Sequence, residues 1–482
     1  MTLLNRKDGS FRRYQQTRKD HWDKVARQLK HWRGWGGYYH RRLTQIYQFS
    51  IVPRQRVLEI GCGLGDLLAE LDPDFGVGVD FSGEMLKLAQ QRHPNLTFIQ
   101  ADAHELHLNQ KFDFIILSDL LNDLWDVQAV LQQIRSLVHP RTRVMINLYS
   151  RLWEPPLKLA ELLKLAKPNL HQNWLTVEDT KNLLNLADFE VIRHWEEIFW
   201  PLPTPLLNKL FNRILIRFWP FKSFALTNII VARPRSKSID LEEESLVSVI
   251  IPARNEAGNI PEIFTRTPDM GQGTELIFVE GHSKDNTYEA IEEAIAKHPN
   301  RRSLLIRQTG EGKGDAVRTG FKHATGDILM ILDADLTVPP EDLPRFYEVL
   351  RSNKGDFANG VRLIYPLEEQ AMRYLNLVGN KFFSLAFSWL LGQSIKDTLC
   401  GTKVLRKSDY ELLTKNRSYF GDFDPFGDFD LLLGAAKQNL KIVDVPIRYR
   451  ARTYGSTNIQ RWKHGWLLLR MVLFAARRLK FI

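Results

Sequence analysis

The sequence predicts an α/β protein built as two tandem domains, each a mostly parallel sheet with helices on both faces. Three observations carry this. Strand-like and helix-like apolar periods alternate from residue 56 to 233 and again from 247 onward, as in sheets joined by crossover helices. Residues 234–246, Pro-Arg-Ser-Lys-Ser-Ile-Asp-Leu-Glu-Glu-Glu-Ser-Leu, separate these stretches and have little to bury, as in a linker. The length of 482 residues exceeds what one hydrophobic core supports.

Residues 1–50 are basic and aromatic and are expected to be helical, with Trp22, Trp32, Trp35, Tyr38 and Tyr39 capping the first domain or lining a substrate mouth. In the first domain, 51–233, strands are expected at Arg56–Ile60, Gly76–Asp80, Thr97–Gln100, Phe112–Leu117, Arg143–Leu148 and Asn228–Ala232. Helical periods lie between them, as at Gly83–Gln91 and Val127–Val138. In the second domain, 247–460, strands are expected at Ser248–Pro252, Glu275–Glu280, Ser303–Arg307 and Ile328–Leu332. Residues 461–482 read as an amphipathic basic helix, with Lys463, Arg470 and Arg477 on one stripe.

Hydrophobic content of 44% and charged content of 25% are ordinary for a globular protein. Two cysteines, Cys62 and Cys400, cannot build a disulfide framework, which fits a reducing compartment. The first residues lack the apolar core of a signal peptide, and no window offers the roughly 20 apolar residues of a membrane span. A cytoplasmic location is expected. The net charge of +10 is uneven: from Arg448 to the end there are nine Lys or Arg and no acid, which suits an anionic partner. The last helix and Met372–Leu391, with Phe382, Phe383, Phe387 and Trp389, are candidates for peripheral contact with the inner face of the cell membrane.

The first chemical signal is Val57-Leu-Glu-Ile-Gly-Cys-Gly-Leu-Gly65, a strand running into a glycine turn and then a helix, Asp66–Leu71. Glycines at 61, 63 and 65 let backbone approach a ligand closely. Asp80 closes the next strand, where a carboxylate can accept both hydroxyls of a ribose. Asp102 closes the third, in reach of an adenine amino group. The segments Glu59-Ile-Gly-Cys-Gly-Leu-Gly65, Gly78-Val-Asp80 and Ala101-Asp102-Ala resemble a class I S-adenosylmethionine-dependent methyltransferase of Rossmann-like fold. The resemblance implies that Glu59, Gly61, Gly63 and Gly65 line the methionine moiety, Asp80 the ribose and Asp102 the adenine. Asn122, Asp123, His104 and His107 lie near the expected mouth without a motif that fixes a role, and the methyl acceptor is not readable.

The second signal is Ile328-Leu-Met-Ile-Leu-Asp-Ala-Asp335, a strand ending in two carboxylates. Such a pair can hold Mg2+ or Mn2+, hard cations that share oxygen ligands with a diphosphate. Upstream lie Val249-Ile-Ile-Pro-Ala-Arg-Asn-Glu256, Val279-Glu-Gly-His-Ser-Lys-Asp285 and the glycine–lysine loop Gly310-Glu-Gly-Lys-Gly-Asp-Ala-Val317. This order resembles family 2 glycosyltransferases of GT-A fold, nearest to the dolichol-phosphate mannosyltransferase type. The resemblance implies an inverting transfer from a nucleotide-diphospho-sugar. Pro252, Arg254, Asn255 and Glu256 then flank the nucleotide, Glu280 meets base or ribose, and Lys313 supports the diphosphate. Asp333 and Asp335 handle ribose and metal. Glu280-Gly-His-Ser283 departs from the family's Asp-Asp-Gly-Ser, which bears on base and sugar preference.

Asp397-Thr-Leu-Cys-Gly-Thr-Lys403 and Asp422-Phe-Asp-Pro-Phe-Gly-Asp-Phe-Asp430 match the family's acceptor side, and Asp428 or Asp430 is placed near the reacting centre. A sugar hydroxyl as acceptor needs one of them as general base. A polyprenyl phosphate is already anionic and needs cations, for which Arg448, Arg450 and Arg452 are candidates. Arg452, Gly455 and Ser456 resemble the Arg-x-x-Gly-x-Ser signature of lipid-phosphate transferases. The whole reads as a bifunctional fusion. One alternative is a methyltransferase-like module that binds without turnover; another is a glycan hydroxyl as sugar acceptor. No nucleic-acid partner is expected, since Ser118-Asp-Leu-Leu-Asn stands where a target-base motif would lie.

Overall fold

A computed structural model describes residues 9–28, 37–163, 170, 172–235, 245–362, 364, 374–415, 427–450, 452, 454 and 461–481. Trp32, Trp35, Asp422, Gly455, Ser456 and most of the expected linker lie outside the described residues, as does the side chain of Asp428. The chain divides into two compact units, Met1–Arg235 and Ser236–Ile482.

The first unit holds strands β1 (Arg56–Ile60), β2 (Phe75–Asp80), β3 (Thr97–Gln100), β4 (Phe112–Ser118), β5 (Val138–Tyr149), β6 (Phe189–Glu197) and β7 (Thr227–Pro234). They form one sheet in the order β3-β2-β1-β4-β5-β7-β6. Pairs from β3 to β5 are parallel, whereas β7 runs antiparallel to both β5 and β6. One face packs on a layer including Val130, Leu131, Ile134 and Leu184. The other packs on Leu43, Ile46 and Tyr47 of the Gly37–Ser50 helix.

The second unit holds β8 (Val247–Ala253), β9 (Thr274–Glu280), β10 (Ser303–Arg307), β11 (Ile328–Ile331), β12 (Phe357–Val361), β13 (Lys403–Arg406) and β14 (Ile442–Pro446), in the order β10-β9-β8-β11-β13-β12-β14. Strand β13 is antiparallel to its neighbours β11 and β12. The strand core lies between one apolar layer with Val317, Phe321, Phe387 and Met471 and another with Ile260, Phe264, Phe346 and Leu350. Helices Tyr374–Leu391 and Arg461–Leu479 send Phe387, Leu390, Leu391, Met471 and Ala475 into the first layer, while Phe382, Leu385, Trp466 and Leu473 stay exposed.

Every strand expected from the sequence is present; β6, β12, β13 and β14 are additional. Two expectations change. The helix at Val127 ends at Gln133 and continues as a 3-10 turn to Leu137, because Val138 already begins β5. The glycine–lysine loop is helical from Gly312, so Lys313 sits in the first turn of the helix Gly312–His323. Each sheet reverses its strand order once at a parallel pair of neighbours, between β1 and β4 and between β8 and β11. In open α/β sheets the ligand crevice lies outside the carboxyl ends of the strands flanking such a point.

Candidate active sites

At the first reversal, β1 runs into Gly61, Gly63 and Gly65, all with positive φ. The backbone N–H groups of Gly61 and Cys62 donate to Val79 O at 2.7 and 3.0 Å, fixing the turn against β2. A Cβ on Gly61 would lie 2.9 Å from Leu120 Cδ1, and one on Gly65 2.6 Å from Phe98 Cζ, so no larger residue fits without movement.

Asp80 Oδ2 accepts from Gly63 N at 3.0 Å and Oδ1 from Ser82 N at 2.9 Å. Burial raises its pKa, although these backbone donors pull it down. Asp102 Oδ1 accepts from His104 N at 2.8 Å and from His104 Nδ1 at 2.6 Å, and Oδ2 accepts from Gln15 Nε2 at 2.6 Å. Burial opposes its ionisation, but the bonds from His104 and Gln15 outweigh it and hold the carboxyl below its usual range. His104 Nε2 accepts from Asp126 N at 3.1 Å, which assigns the ring proton to Nδ1 and leaves His104 as a structural donor. Asn122 is likewise structural, donating to Asn173 O at 2.8 Å, and His107 is exposed.

Asp80, Asp102 and His104 border an open cleft, whose empty space together with the adjoining solvent is about 430 Å³. Of the residues expected to hold a cofactor, Gly61, Asp80 and Asp102 line it; Glu59, Gly63 and Gly65 do not. Glu59 is buried, and burial, with Asp80 and Asp66 nearby, pushes its carboxyl up to about 8 against a backbone hydrogen bond from Leu68. Its Oε2 has no hydrogen-bond partner in the described structure. Apolar walls from Ile60, Val79, Leu120 and Leu124 with carboxylates at two strand ends fit a nucleoside ligand.

Two groups of side chains at this site escaped the sequence reading, which gave the N-terminal segment only as a cap or the lining of a mouth. The helix Gly9–Gln28 supplies Tyr14, Gln15 and Arg18 to the cleft. Asp123 anchors that helix: its carboxylate accepts from Arg18 Nε at 2.8 Å and Trp22 Nε1 at 2.9 Å, and its carbonyl accepts from Tyr14 Oη. The second is Asp119, just past β4 with φ of 53°. Its Oδ1 accepts from Tyr39 Oη at 2.8 Å and Asn147 Nδ2 at 2.5 Å. Burial pushes Asp119 up to about 7, with bonds from Tyr39, Asn147 and Tyr149 pulling the other way. The only local signal was an aspartate at a strand end.

At the second reversal, the turns after β8 and β9 are stitched together. Asn255 N donates to Ser283 Oγ at 3.0 Å, Asn255 Oδ1 accepts from Lys284 N at 2.7 Å, and Glu280 Oε1 accepts from Ser283 N at 2.6 Å. Asn255 and His282 both adopt positive φ there. Pro252 is half-buried at the strand end, and Arg254 is exposed.

The carboxylate pair after β11 faces cations. Asp333 Oδ1 lies 2.6 Å from Lys313 Nζ. Asp335 Oδ2 lies 2.6 Å from Arg452 Nη2, while its Oδ1 accepts from Thr337 N at 3.1 Å and Thr337 Oγ1 at 2.8 Å. Arg452 Nη1 also meets Glu256 Oε1 at 3.0 Å. Burial pushes Glu256 up to about 7; Arg452 lowers it and Asp335 raises it. Gly401 closes the site: a Cβ there would lie 2.2 Å from both Asp333 Oδ2 and Lys313 Nζ. Asp397, from the same loop, is buried in a two-pronged pair with Arg362 at 2.7 and 2.9 Å.

Asp430 is buried in the first turn of the helix Asp428–Lys437. A Cβ on Gly427 would lie 2.8 Å from Gly314 Cα, so this helix start abuts the turn carrying Lys313. Arg450 N donates to Thr337 O at 2.9 Å, and the side chains of Arg448 and Arg450 are exposed. Among the described residues no group of three or more His, Cys, Asp or Glu is placed to hold a metal. Two carboxylates nevertheless suit Mg2+ or Mn2+ in sites where diphosphate oxygens and water complete the shell. Lys313 and Arg452 already show that the pair attracts positive charge.

Two family models match the chain: "Methyltransferase domain" over residues 51–191 and "Glycosyl transferase family 2" over residues 248–413. A dolichol-phosphate mannosyltransferase of Pyrococcus furiosus is 32% identical over 221 residues, 44% of this chain and 59% of that protein. An undecaprenyl-phosphate 4-deoxy-4-formamido-L-arabinose transferase of Shewanella sediminis is 32% identical over 165 residues, 33% of this chain and 48% of the relative. The chain spans about half the length of the curated relatives it matches. Among solved structures, an S-adenosylmethionine-dependent methyltransferase from Mesorhizobium loti aligns with TM-score 0.33 at 20% identity, covering 42% of this chain and 100% of that one. Glucosyl-3-phosphoglycerate synthase from Mycobacterium tuberculosis aligns with TM-score 0.36 at 19% identity, covering 49% and 80%. The chain carries a methyltransferase domain over residues 51–191, followed by a family 2 glycosyltransferase domain over residues 248–413.

Proposed function

We propose a bifunctional enzyme: S-adenosylmethionine-dependent methyl transfer in the first unit, and metal-dependent inverting transfer from a nucleotide-diphospho-sugar to a polyprenyl phosphate in the second. The observation that carries the sugar-transfer reading is the carboxylate pair at the β8/β11 reversal, with Lys313 and Arg452 on it.

In the first site, Asp80 would hold the ribose hydroxyls and Asp102 the adenine edge, with Gly61 letting backbone approach. Bound S-adenosylmethionine supplies an electrophilic methyl group. The chain's part is alignment of an acceptor and exclusion of water. Tyr14, Gln15 and Arg18 narrow the mouth. Asp119 is a carboxyl poised near neutrality beside it and suits a proton acceptor for a hydroxyl or amine.

In the second site, Asp333 and Asp335 would hold Mg2+ or Mn2+, which when bound neutralises the departing diphosphate. Lys313, at the start of its helix, adds positive charge on the same side. Asn255, Glu256 and Glu280 would flank the nucleotide, with Pro252 and Arg254 at the edge. An anionic acceptor phosphate needs no base; Arg448, Arg450 and Arg452 would bind it. A glycan hydroxyl as acceptor would instead require Asp428 or Asp430 as base. The exposed Phe382, Leu385, Trp389, Trp466 and Leu473 support peripheral contact with the inner face of a membrane. No helix among the described residues is long and apolar enough to cross one.

One observation favours a second reading of the first unit. The Gln15 amide already donates to Asp102 Oδ2, so an adenine must share or displace that bond, which suits a module kept for binding a cofactor or partner rather than for turnover. Titration with S-adenosylmethionine followed by a methyl-transfer assay separates the two: tight binding without turnover selects the second. For the other unit, the test is transfer from UDP- and GDP-sugars with Mg2+ or Mn2+, with and without a polyprenyl phosphate. Stimulation by the lipid phosphate supports the reading, and metal-independent transfer overturns it.

A further inference from the structure

Residues Pro205–Phe224 of the first unit form a folded excursion: a helix Pro205–Asn208, a π turn Lys209–Ile214, and 3-10 turns Leu215–Arg217 and Phe221–Phe224. Its inner side is pinned. Asn212 is buried; its Oδ1 accepts from Trp200 N at 2.6 Å, and its Nδ2 donates to Trp200 O at 2.7 Å and Tyr38 Oη at 2.8 Å. Arg217 pairs with buried Glu197 at 2.8 Å. Phe211 packs on Phe199 and Trp200.

The outer side is apolar. Leu206, Leu210, Ile214 and Phe218 recur every four residues and all are exposed, as are Leu207, Trp219, Phe221 and Phe224. Leu206 is 84% and Trp219 78% exposed. Eight exposed apolar side chains gathered on one twenty-residue excursion point to an interaction site, whereas single exposed apolar side chains do not. Its charge is one-sided: no Asp or Glu occurs from residue 198 to 239. Lys209 and Arg213 are exposed within the row, and Lys222 is half-buried. Trp153 Nε1 donates to Phe224 O at 2.9 Å and ties on the next helix, Glu154–Leu162, where Leu159 and Leu162 are also exposed.

We propose that this excursion is a membrane-docking surface of the first unit, inserting its apolar row into the interface of a bilayer with anionic headgroups. Apolar side chains with Trp, flanked by cations on a polar-pinned scaffold, match what an interface accepts. A second copy of the chain matches less well. A two-fold pairing would set the same surface against itself and oppose Lys209 and Arg213 to like charges. The surface belongs to the first unit and the helices Tyr374–Leu391 and Arg461–Leu479 to the second, so it would give the first unit its own hold on a membrane.

The test floats the full chain with vesicles of phosphatidylcholine alone and with added phosphatidylglycerol, at rising salt. Binding to the anionic vesicles that weakens with salt is expected. The combined exchange Leu206→Ser, Leu210→Ser, Phe218→Ser and Trp219→Ser, all at exposed positions, should lower vesicle affinity at least about tenfold, with an unchanged circular dichroism spectrum. Trp466→Ser with Leu473→Ser separates the contribution of the last helix. Cys62 and Cys400 are buried, so Leu210→Cys can carry an environment-sensitive dye, whose emission should shift to the blue on anionic vesicles. Absence of vesicle binding, unchanged affinity of the four-residue variant, or unshifted dye emission overturns the proposal. Loss of self-association in that variant, with vesicle binding intact, assigns the surface to a second copy and overturns it equally.

Discussion

The two sites occupy equivalent places in their sheets but balance charge in opposite ways. At the β1/β4 reversal the carboxylates that close the strands face neutral donors: Asp80 takes backbone N–H groups, Asp102 takes His104 and Gln15, and Asp119 takes Tyr39 and Asn147, while Asp123, in the cleft wall, pairs with Arg18. At the β8/β11 reversal they face full cations, Lys313 and Arg452. Neutral donors suit a ligand recognised through hydroxyl and amino groups. Paired cations suit a site through which phosphate charge and a divalent ion must pass, since either can replace one partner of an existing pair. The two sheets share the strand order around the reversal and differ beyond it; in the proposed reading the loops at the reversal decide which chemistry each would support.

The largest expected effect breaks the second site alone. Asp335→Ala should reduce metal-dependent sugar transfer by about a thousandfold or more, while S-adenosylmethionine affinity, measured calorimetrically, stays unchanged. Full transfer by that variant would remove Asp335 from the metal. A smaller loss is expected from Gly401→Ala, whose Cβ would press on both Asp333 and Lys313. UDP or GDP binding in the presence of Mn2+ should weaken at least about tenfold, because a 1 Å displacement at such a site is costly. Unaltered binding would mean that the Lys313–Asp333 pair can separate freely.

The first site gives subtler contrasts. Gln15→Ala removes the amide from Asp102 and should tighten S-adenosylmethionine binding by roughly fivefold, the scale of one hydrogen bond. A fall in affinity would show that Gln15 itself holds the ligand. The smallest effect is on pH. The folded Asp119 carboxyl titrates near 7 against an ordinary value of 3.8. Between those limits the folded chain holds a proton that the unfolded chain has lost, so this group's contribution to stability declines as pH rises from 3.8 to about 7. Asp119→Asn should flatten that decline in denaturant midpoints. An identical pH profile would show that Asp119 is already ionised in the fold.

Much of both sites was legible in the sequence because it lies at strand ends, where local pattern and position coincide. The glycine turn, Asp80, Asp102, Asp333 and Asp335 were all found that way. What the sequence could not show depends on long-range pairing. Gln15 meets Asp102 across 87 positions, and Arg452 meets Asp335 across 117. Neither leaves a local trace. Arg452 was assigned to an acceptor phosphate from its surrounding motif, but its position against Glu256 and Asp335 is visible only in three dimensions. Strands β12, β13 and β14 are no shorter than β3 and β11, but none runs into a glycine turn or carboxylate motif that would mark its end. Glu59 belongs to the glycine motif, yet its side chain is buried and does not line the cleft, a distinction that spacing cannot make.

The most direct test is a crystal of the full chain soaked with Mn2+ and a UDP- or GDP-sugar, with the ion located by its anomalous scattering. The account expects manganese between Asp333 and Asp335, in contact with the diphosphate, and Arg452 displaced from Asp335. Manganese and nucleotide bound elsewhere, with the Arg452–Asp335 pair intact, would contradict it.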